Sequence, residues 1–238
     1  MHDLLVKQIL GKYQAHIDVI EFKKQGTPHF HILICINDFE NTPQNIDNAI
    51  SAEIPNKEYD PELYQLFLDK MTHGPCNEPE TMYWYSCRKN YIDGPCQRNY
   101  PREFNSSTSL NEGCFPNYLH CRECKGGYVG TKNINGNPNT YIDNRWVIPY
   151  NPYLLRKYKS HINIEYCHTV ASVKYLFLYH FKGEDMITIS EIDTLDEVKK
   201  YQTQRYLSSS YCYWRIAEFD MVQIKPPILQ LNIHLPDQ

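Results

Sequence analysis

Two runs of β-forming residues, YQAHIDVIEF (13–22) and HFHILICI (29–36), stand on either side of KKQGTP (23–28). Gly26 and Pro28 are turn formers, so the pair reads as an antiparallel hairpin. This hairpin constrains the fold most, because the period of a strand decides which side chains share a face. His29 and His31 then point one way while Phe30 and Ile32 point the other. Two neutral imidazoles on one face suit a divalent metal, although a bare His-x-His is also what two polar residues at a sheet edge look like. If Glu21 faces His31, Phe22 faces Phe30 and Lys23 faces His29, residues 24–28 form the loop. Glu21, His29 and His31 would then converge on one face. A slip of one residue would send Glu21 to the opposite side. Two histidines and a carboxylate leave coordination positions open for a substrate, as a catalytic metal requires. The alternative is a surface glutamate beside Lys23 and Lys24.

The chain has 238 residues, 42% of them hydrophobic and 22% charged, which suits a globular protein. No apolar run approaches the roughly 20 residues of a membrane span, and no membrane partner is expected. MHDLLVKQILGKY, at the start, reads as a short amphipathic helix rather than a signal peptide. A formal net charge of -4 counts against broad, nonspecific duplex binding, which leans on many phosphate contacts, but leaves room for a small basic groove. The 20 tyrosines offer stacking faces for unpaired bases and hydroxyl nucleophiles.

Of the nine cysteines, six fall between Cys76 and Cys124. Without a secretion signal they argue against a disulfide framework. Cys76, Cys87, Cys96, Cys121 and Cys124 are candidate ligands of a structural Zn²⁺, with CREC (121–124) at two-residue spacing and HGPC (73–76) pairing a histidine with a cysteine. Free, buried thiols are the other reading. Residues 73–140, rich in Gly, Pro and Asn, read as an irregular insertion. Residues 37–62 read as a polar connection, and a helix is expected from Pro61 to about Met71.

RWVI (145–148) and HINIEYC (161–167) read as strands, a helix is expected around 193–206, and PPILQLNIHLP (226–236) as an extended end. Between the first two, Arg156, Lys157 and Lys159 alternate with tyrosines. Together with Arg145 and Lys174 they are candidate DNA contacts through charge and stacking, against the alternative of a solvated cationic turn. In VASVKYLFLYHFKG (170–183), helical spacing places Val170, Val173, Phe177 and Phe181 on one side and the pair Tyr175 and Tyr179 on nearly the opposite one. A phenol attacks a phosphodiester when a divalent metal offsets the charge of the transition state. Two neighbouring tyrosines allow two successive transfers.

On IEFKKQGTPHFHILI (20–34), ISAEIP (50–55), MTHGPC (71–76), DNRWVIPYNPYLLRKYKSHINIEYC (143–167), VKYLFLYHFKG (173–183), RYLSSSYCYWRI (205–216) and LNIHLP (231–236), the chain resembles the N-terminal, helicase-like domain of Helitron transposases. These belong to the HUH endonucleases of rolling-circle replication. The resemblance implies an α+β fold with a ferredoxin-like antiparallel sheet core, flanking helices and the Cys-rich insertion 73–140, spread over residues 1–238. It implies His29 and His31 as paired metal ligands with Glu21 third, Mg²⁺ or Mn²⁺ as the ion, and Tyr175 and Tyr179 as the catalytic tyrosines. The implied substrate is single-stranded DNA at transposon ends, the implied compartment the nucleus. Members carry a strand upstream of the metal hairpin and a helicase downstream on the same polypeptide. This chain starts after that strand and lacks that helicase, so an unpaired sheet edge and a truncated or decayed copy are expected. The alternative is a non-catalytic module that binds single-stranded DNA or a partner, with a zinc-stapled insertion.

Overall fold

The computed structural model describes residues 2–23, 26–76, 87, 95–111, 115–134, 137–170, 174 and 208–227. The chain is mixed α+β and divides into two compact units, Met1–Phe39 with Ala171–Gln238, and Glu40–Val170. Among the described residues no helix is long and apolar enough to cross a membrane.

In the first unit, helix α1 (His2–Leu5) precedes strands β1 (Tyr13–Phe22) and β2 (Pro28–Ile36). The hairpin forms as the alternation requires, but its register differs from the expected one. Glu21 lies opposite His29, and His31 opposite Val19. The ladder runs on to Lys23, whose N–H donates to the Thr27 carbonyl, so the turn is tighter than a loop over residues 24–28. Gly26 makes this possible. Its φ of +83° lies in the left-handed region, and a Cβ there would come within 2.8 Å of the Ser208 Cβ.

Strand β5 (Val222–Lys225) pairs with His16–Val19 on the other edge of β1, giving the order β2-β1-β5. That edge, expected to be open, is thus covered over four residues. One face of this sheet carries Ile17, Val19, Glu21, His29, His31 and Leu33; the other carries His16, Asp18, Ile20, Phe22, Phe30 and Ile32. Helix α5 (Ser209–Ile216), capped by the Ser208 hydroxyl, sets Tyr211 and Trp214 edge-on to Phe22 at 5.5 and 5.9 Å between ring centroids. His16 and Asp18 are both buried, with 3.6 Å between His16 Nε2 and Asp18 Oδ1. Burial raises the Asp18 carboxyl, and the neighbouring His16 draws it back.

The second unit holds helices α2 (Pro43–Ala49), α3 (Pro61–Lys70) and α4 (Pro152–Tyr158). Each begins the same way. Thr42, Asp60 or Asn151 accepts a backbone N–H at the cap, and a proline follows at the first position, where its missing N–H costs nothing. The hairpin of β3 (Gly130–Ile134) and β4 (Asn137–Ile142) begins inside the segment 73–140 read as irregular and ends two residues beyond it. Ile46, Ile54, Phe67, Met71, Ile142, Val147, Tyr150 and Leu155 form the core, all 2% exposed or less. The two strands expected here do not form. RWVI opens with a 3₁₀ turn (Asn144–Trp146), because the Asp143 carboxylate accepts the Arg145 N–H and offers the backbone a local partner. HINIEYC is extended without a ladder; its Ile164 N–H goes to the Pro149 carbonyl and its Tyr166 N–H to the Tyr118 hydroxyl.

Asn144, 1% exposed, ties three segments together. Its Oδ1 accepts the Ile54 N–H at 2.8 Å, and its Nδ2 donates to the Cys121 carbonyl at 3.0 Å and to Glu53 at 3.3 Å. Asn144→Ala orphans the buried Ile54 N–H and is expected to cost about 1–3 kcal/mol. Denaturant unfolding should show a lower midpoint with an unchanged slope.

Candidate metal centres

Glu21, His29 and His31 end up on one face despite the changed register, because a shift of two residues preserves the facing of every side chain. Glu21 and His29 are direct cross-strand partners, and His31 sits on the diagonal. Glu21 Oε2 and His31 Nε2 are 3.5 Å apart, and the two imidazole centroids are separated by 6.4 Å at a 35° tilt. The Glu21 and His31 side chains are 35% and 24% exposed, but the His31 Nε2 atom itself is buried. A carboxylate and two imidazoles are ligand types that a divalent ion takes, but their ligand atoms do not all lie within 4.8 Å of one another. Tyr175 and Tyr179 lie outside the described residues, as do the expected helix at 193–206 and most of the extended end.

The second centre is tighter. His73, Cys76, Cys87 and Cys96 place one ligand atom each within 4.8 Å of all the others, and they are the one group of His, Cys, Asp or Glu side chains gathered this closely among the described residues. Three sulfurs and one ring nitrogen form a set that can hold a metal such as zinc. Zn–S bonds of about 2.3 Å in a tetrahedron put sulfurs about 3.7 Å apart, so only a small contraction would be needed.

Local structure builds this cluster. The His73 N–H donates to the Trp146 carbonyl beside the Thr72–Val147 bridge, which fixes the chain as it leaves α3. The His73 ring stacks on Tyr100 at 4.3 Å, and its Nε2 lies 3.3 Å from the Cys96 sulfur. Burial, with Arg98 and Arg102 nearby, pushes the His73 imidazole down to about 4, so it stays neutral and available as a ligand. Burial and the neighbouring Cys96 and Cys87 push the Cys76 thiol up to about 12. At Cys96 burial acts in the same upward direction, but backbone N–H groups of Tyr100 and Arg98 and the other two thiols outweigh it and favour the thiolate. A metal ion would supply to all three sulfurs the positive charge that these donors give to one.

The cysteine reading is therefore half corrected. Cys76, Cys87 and Cys96 come together, but Cys121 and Cys124 are not part of the group. The Cys121 N–H donates to Glu53 in the Asn144 network, and Cys124 is exposed. The two-residue spacing of CREC points to the wrong pair; the usable signal is the histidine of HGPC. His120, also near the cysteines in sequence, is 4% exposed with its Nδ1 2.9 Å from the Ala52 carbonyl, an architectural role.

The basic run at 156–159 is largely spoken for. Arg156 pairs with Asp60 and Lys159 with Glu62, pinning α4 to the start of α3, while the Lys157 ammonium lies 5.6 Å from the Tyr158 ring centroid. Arg145 is held by Asp143, with 2.7 Å between Nη2 and Oδ2. Lys174 is exposed.

Compared with known proteins, the chain matches no family model and no curated protein.

Purified protein dialysed against metal-free buffer should retain one zinc per chain by elemental analysis. Cys76→Ser and Cys96→Ser should each lose it, whereas Cys121→Ser and Cys124→Ser should keep it.

Proposed function

We propose that this chain is a metal-dependent nickase and strand transferase of single-stranded DNA, of the HUH type found in Helitron transposases. The observation that carries the proposal is the convergence of Glu21, His29 and His31 on one face of the β1–β2 hairpin. The antiparallel sheet of the first unit is compatible with an HUH, ferredoxin-like core, and the sequence resemblance supplies the rest. Mg²⁺ or Mn²⁺ held by these three side chains would polarise the scissile phosphate and offset charge in the transition state.

The chain's own chemistry is a transesterification. The hydroxyl oxygen of Tyr175 or Tyr179 bonds to phosphorus, the bond to the 3′ oxygen breaks, and that oxygen takes up a proton as a free 3′-hydroxyl. The 5′ phosphate stays on the tyrosine as an ester. The second tyrosine can then attack a second strand while the first remains held. Such a protein would act on transposon ends in the nucleus, together with a helicase that its relatives by resemblance carry on the same polypeptide.

A second reading is favoured by the His73/Cys76/Cys87/Cys96 cluster: a zinc-stapled module that grips single-stranded DNA or a partner without cutting. The two readings part on one assay. With a 3′-labelled unpaired oligonucleotide and Mn²⁺, a covalent protein–DNA adduct should appear on a denaturing gel. It should vanish in Tyr175→Phe/Tyr179→Phe and in His29→Ala/His31→Ala. An adduct that persists in the tyrosine double variant contradicts the assignment, and none from the wild type under any divalent ion favours the second reading.

A further inference from the structure

The Glu40–Val170 unit sets three guanidiniums over two rings. Arg102 lies over Tyr100, 4.8 Å from the ring centroid, and Arg122 and Arg145 lie over Phe104 at 4.7 and 4.8 Å. Backbone bonds fix them as neighbours: the Arg102 N–H donates to the Arg145 carbonyl, and the Asn105–His120 bridge brings residue 104 alongside Arg122. Arg98 precedes Tyr100 by two residues in the same loop, whose Asn99 N–H donates to the Cys96 carbonyl.

The charge of this group is mostly uncompensated. Arg145 is bound by Asp143, but Arg98, Arg102 and Arg122 are exposed and make no hydrogen bond to a carboxylate among the described residues. The acids nearby are engaged or muted. Glu53 accepts the Cys121 N–H, and Glu123 accepts the Tyr141 hydroxyl at 3.2 Å. Glu165 is pushed up to about 7 by burial in spite of Tyr118 and Arg102, so near neutrality it offsets Arg102 only in part. Glu103 is the one carboxylate within residues 98–104. A chain with a net charge of -4 thus carries a local cationic surface.

We infer that Arg102 and Arg122, set on Tyr100 and Phe104, together with Arg98 two residues before Tyr100, form a binding surface for the backbone and bases of single-stranded nucleic acid. A guanidinium resting on a ring keeps its in-plane N–H groups free for phosphate, and its position is already fixed, so less rotamer freedom is lost on binding. Its outer face offers stacking to unpaired bases, which a duplex does not present. The patch is short and lies on irregular backbone, which suits a flexible single strand better than a groove of double-stranded DNA. This surface is separate from the metal hairpin and needs no cleavage.

The test uses the full chain and a fluorescein-labelled oligothymidylate, with no divalent ion added, read by fluorescence anisotropy over a salt series. Wild type should bind, with an affinity that falls as salt rises. Arg98→Gln/Arg122→Gln should weaken binding roughly tenfold or more and flatten the dependence of log K on log[salt] by about 0.7 for each phosphate no longer neutralised. Arg102→Gln alone should act in the same direction, and serves if the double variant fails to fold. Arg156→Gln, whose charge is paired with Asp60, should bind as wild type does. Binding to the patch should survive Tyr175→Phe/Tyr179→Phe, and an adduct seen at saturating oligonucleotide should survive the arginine changes, so failure of either proposal is distinguishable from failure of the other. Wild-type affinity and salt slope in folded arginine variants would overturn the inference, as would binding to a polyglutamate chain but not to the oligonucleotide.

Discussion

Cross-strand pairing between Tyr13–Phe22 and Pro28–Ile36 decides which side chains of the first unit can meet. Because strand side chains alternate with a period of two, the pairing has only two outcomes for any set of residues: together on one face, or divided between both. The observed register places Glu21, His29 and His31 together. The Gly26 turn and the Ser208 and Ser210 side chains packed against it hold that register, and the Ser210 hydroxyl donates to the Gly26 carbonyl at 2.6 Å. β5 on the far edge of β1 and α5 across Phe22 support the same strand from two further directions.

The Glu40–Val170 unit rests on different means. Its helices begin at three cap-proline pairs, its core is apolar, and its loops are pinned by single polar side chains. Asn144 joins residues 53–54 to Cys121, and Tyr150 donates its buried hydroxyl to the Glu53 carbonyl. The His73/Cys76/Cys87/Cys96 cluster adds a point where three distant stretches of loop converge. Loops of this kind bury little apolar surface of their own, so a metal bound here would contribute to their order what a core cannot.

What the sequence reveals follows from how far each signal reaches. The hairpin is legible because β-propensity, alternation and turn residues agree over about twenty positions. α3 is legible because Asp60-Pro61 marks its start and an apolar stripe follows. α2 carries the same mark in Thr42-Pro43 but is only seven residues long, and its composition reads as polar connection. The exact pairing escapes the sequence because Gly26 allows a tighter turn than a loop over 24–28, and local residues do not say which is used. The metal cluster is half legible: clustering of cysteines in sequence suggests a site, but only the fold can choose Cys87 and Cys96 over Cys121 and Cys124. The arginine patch is invisible in the sequence because its four charges are drawn from three separate segments.

The proposed nicking chemistry requires Glu21, His29 and His31, on one face of a hairpin, to hold a single divalent ion. Titration of the full chain with Mn²⁺, followed by electron paramagnetic resonance of the free ion, reads that directly. The account predicts one bound Mn²⁺ per chain in excess of zinc, lost in Glu21→Ala and in His31→Ala and kept in Cys121→Ser. Equal Mn²⁺ binding by the wild type and the Glu21→Ala and His31→Ala variants, or none by the folded wild type, would contradict it.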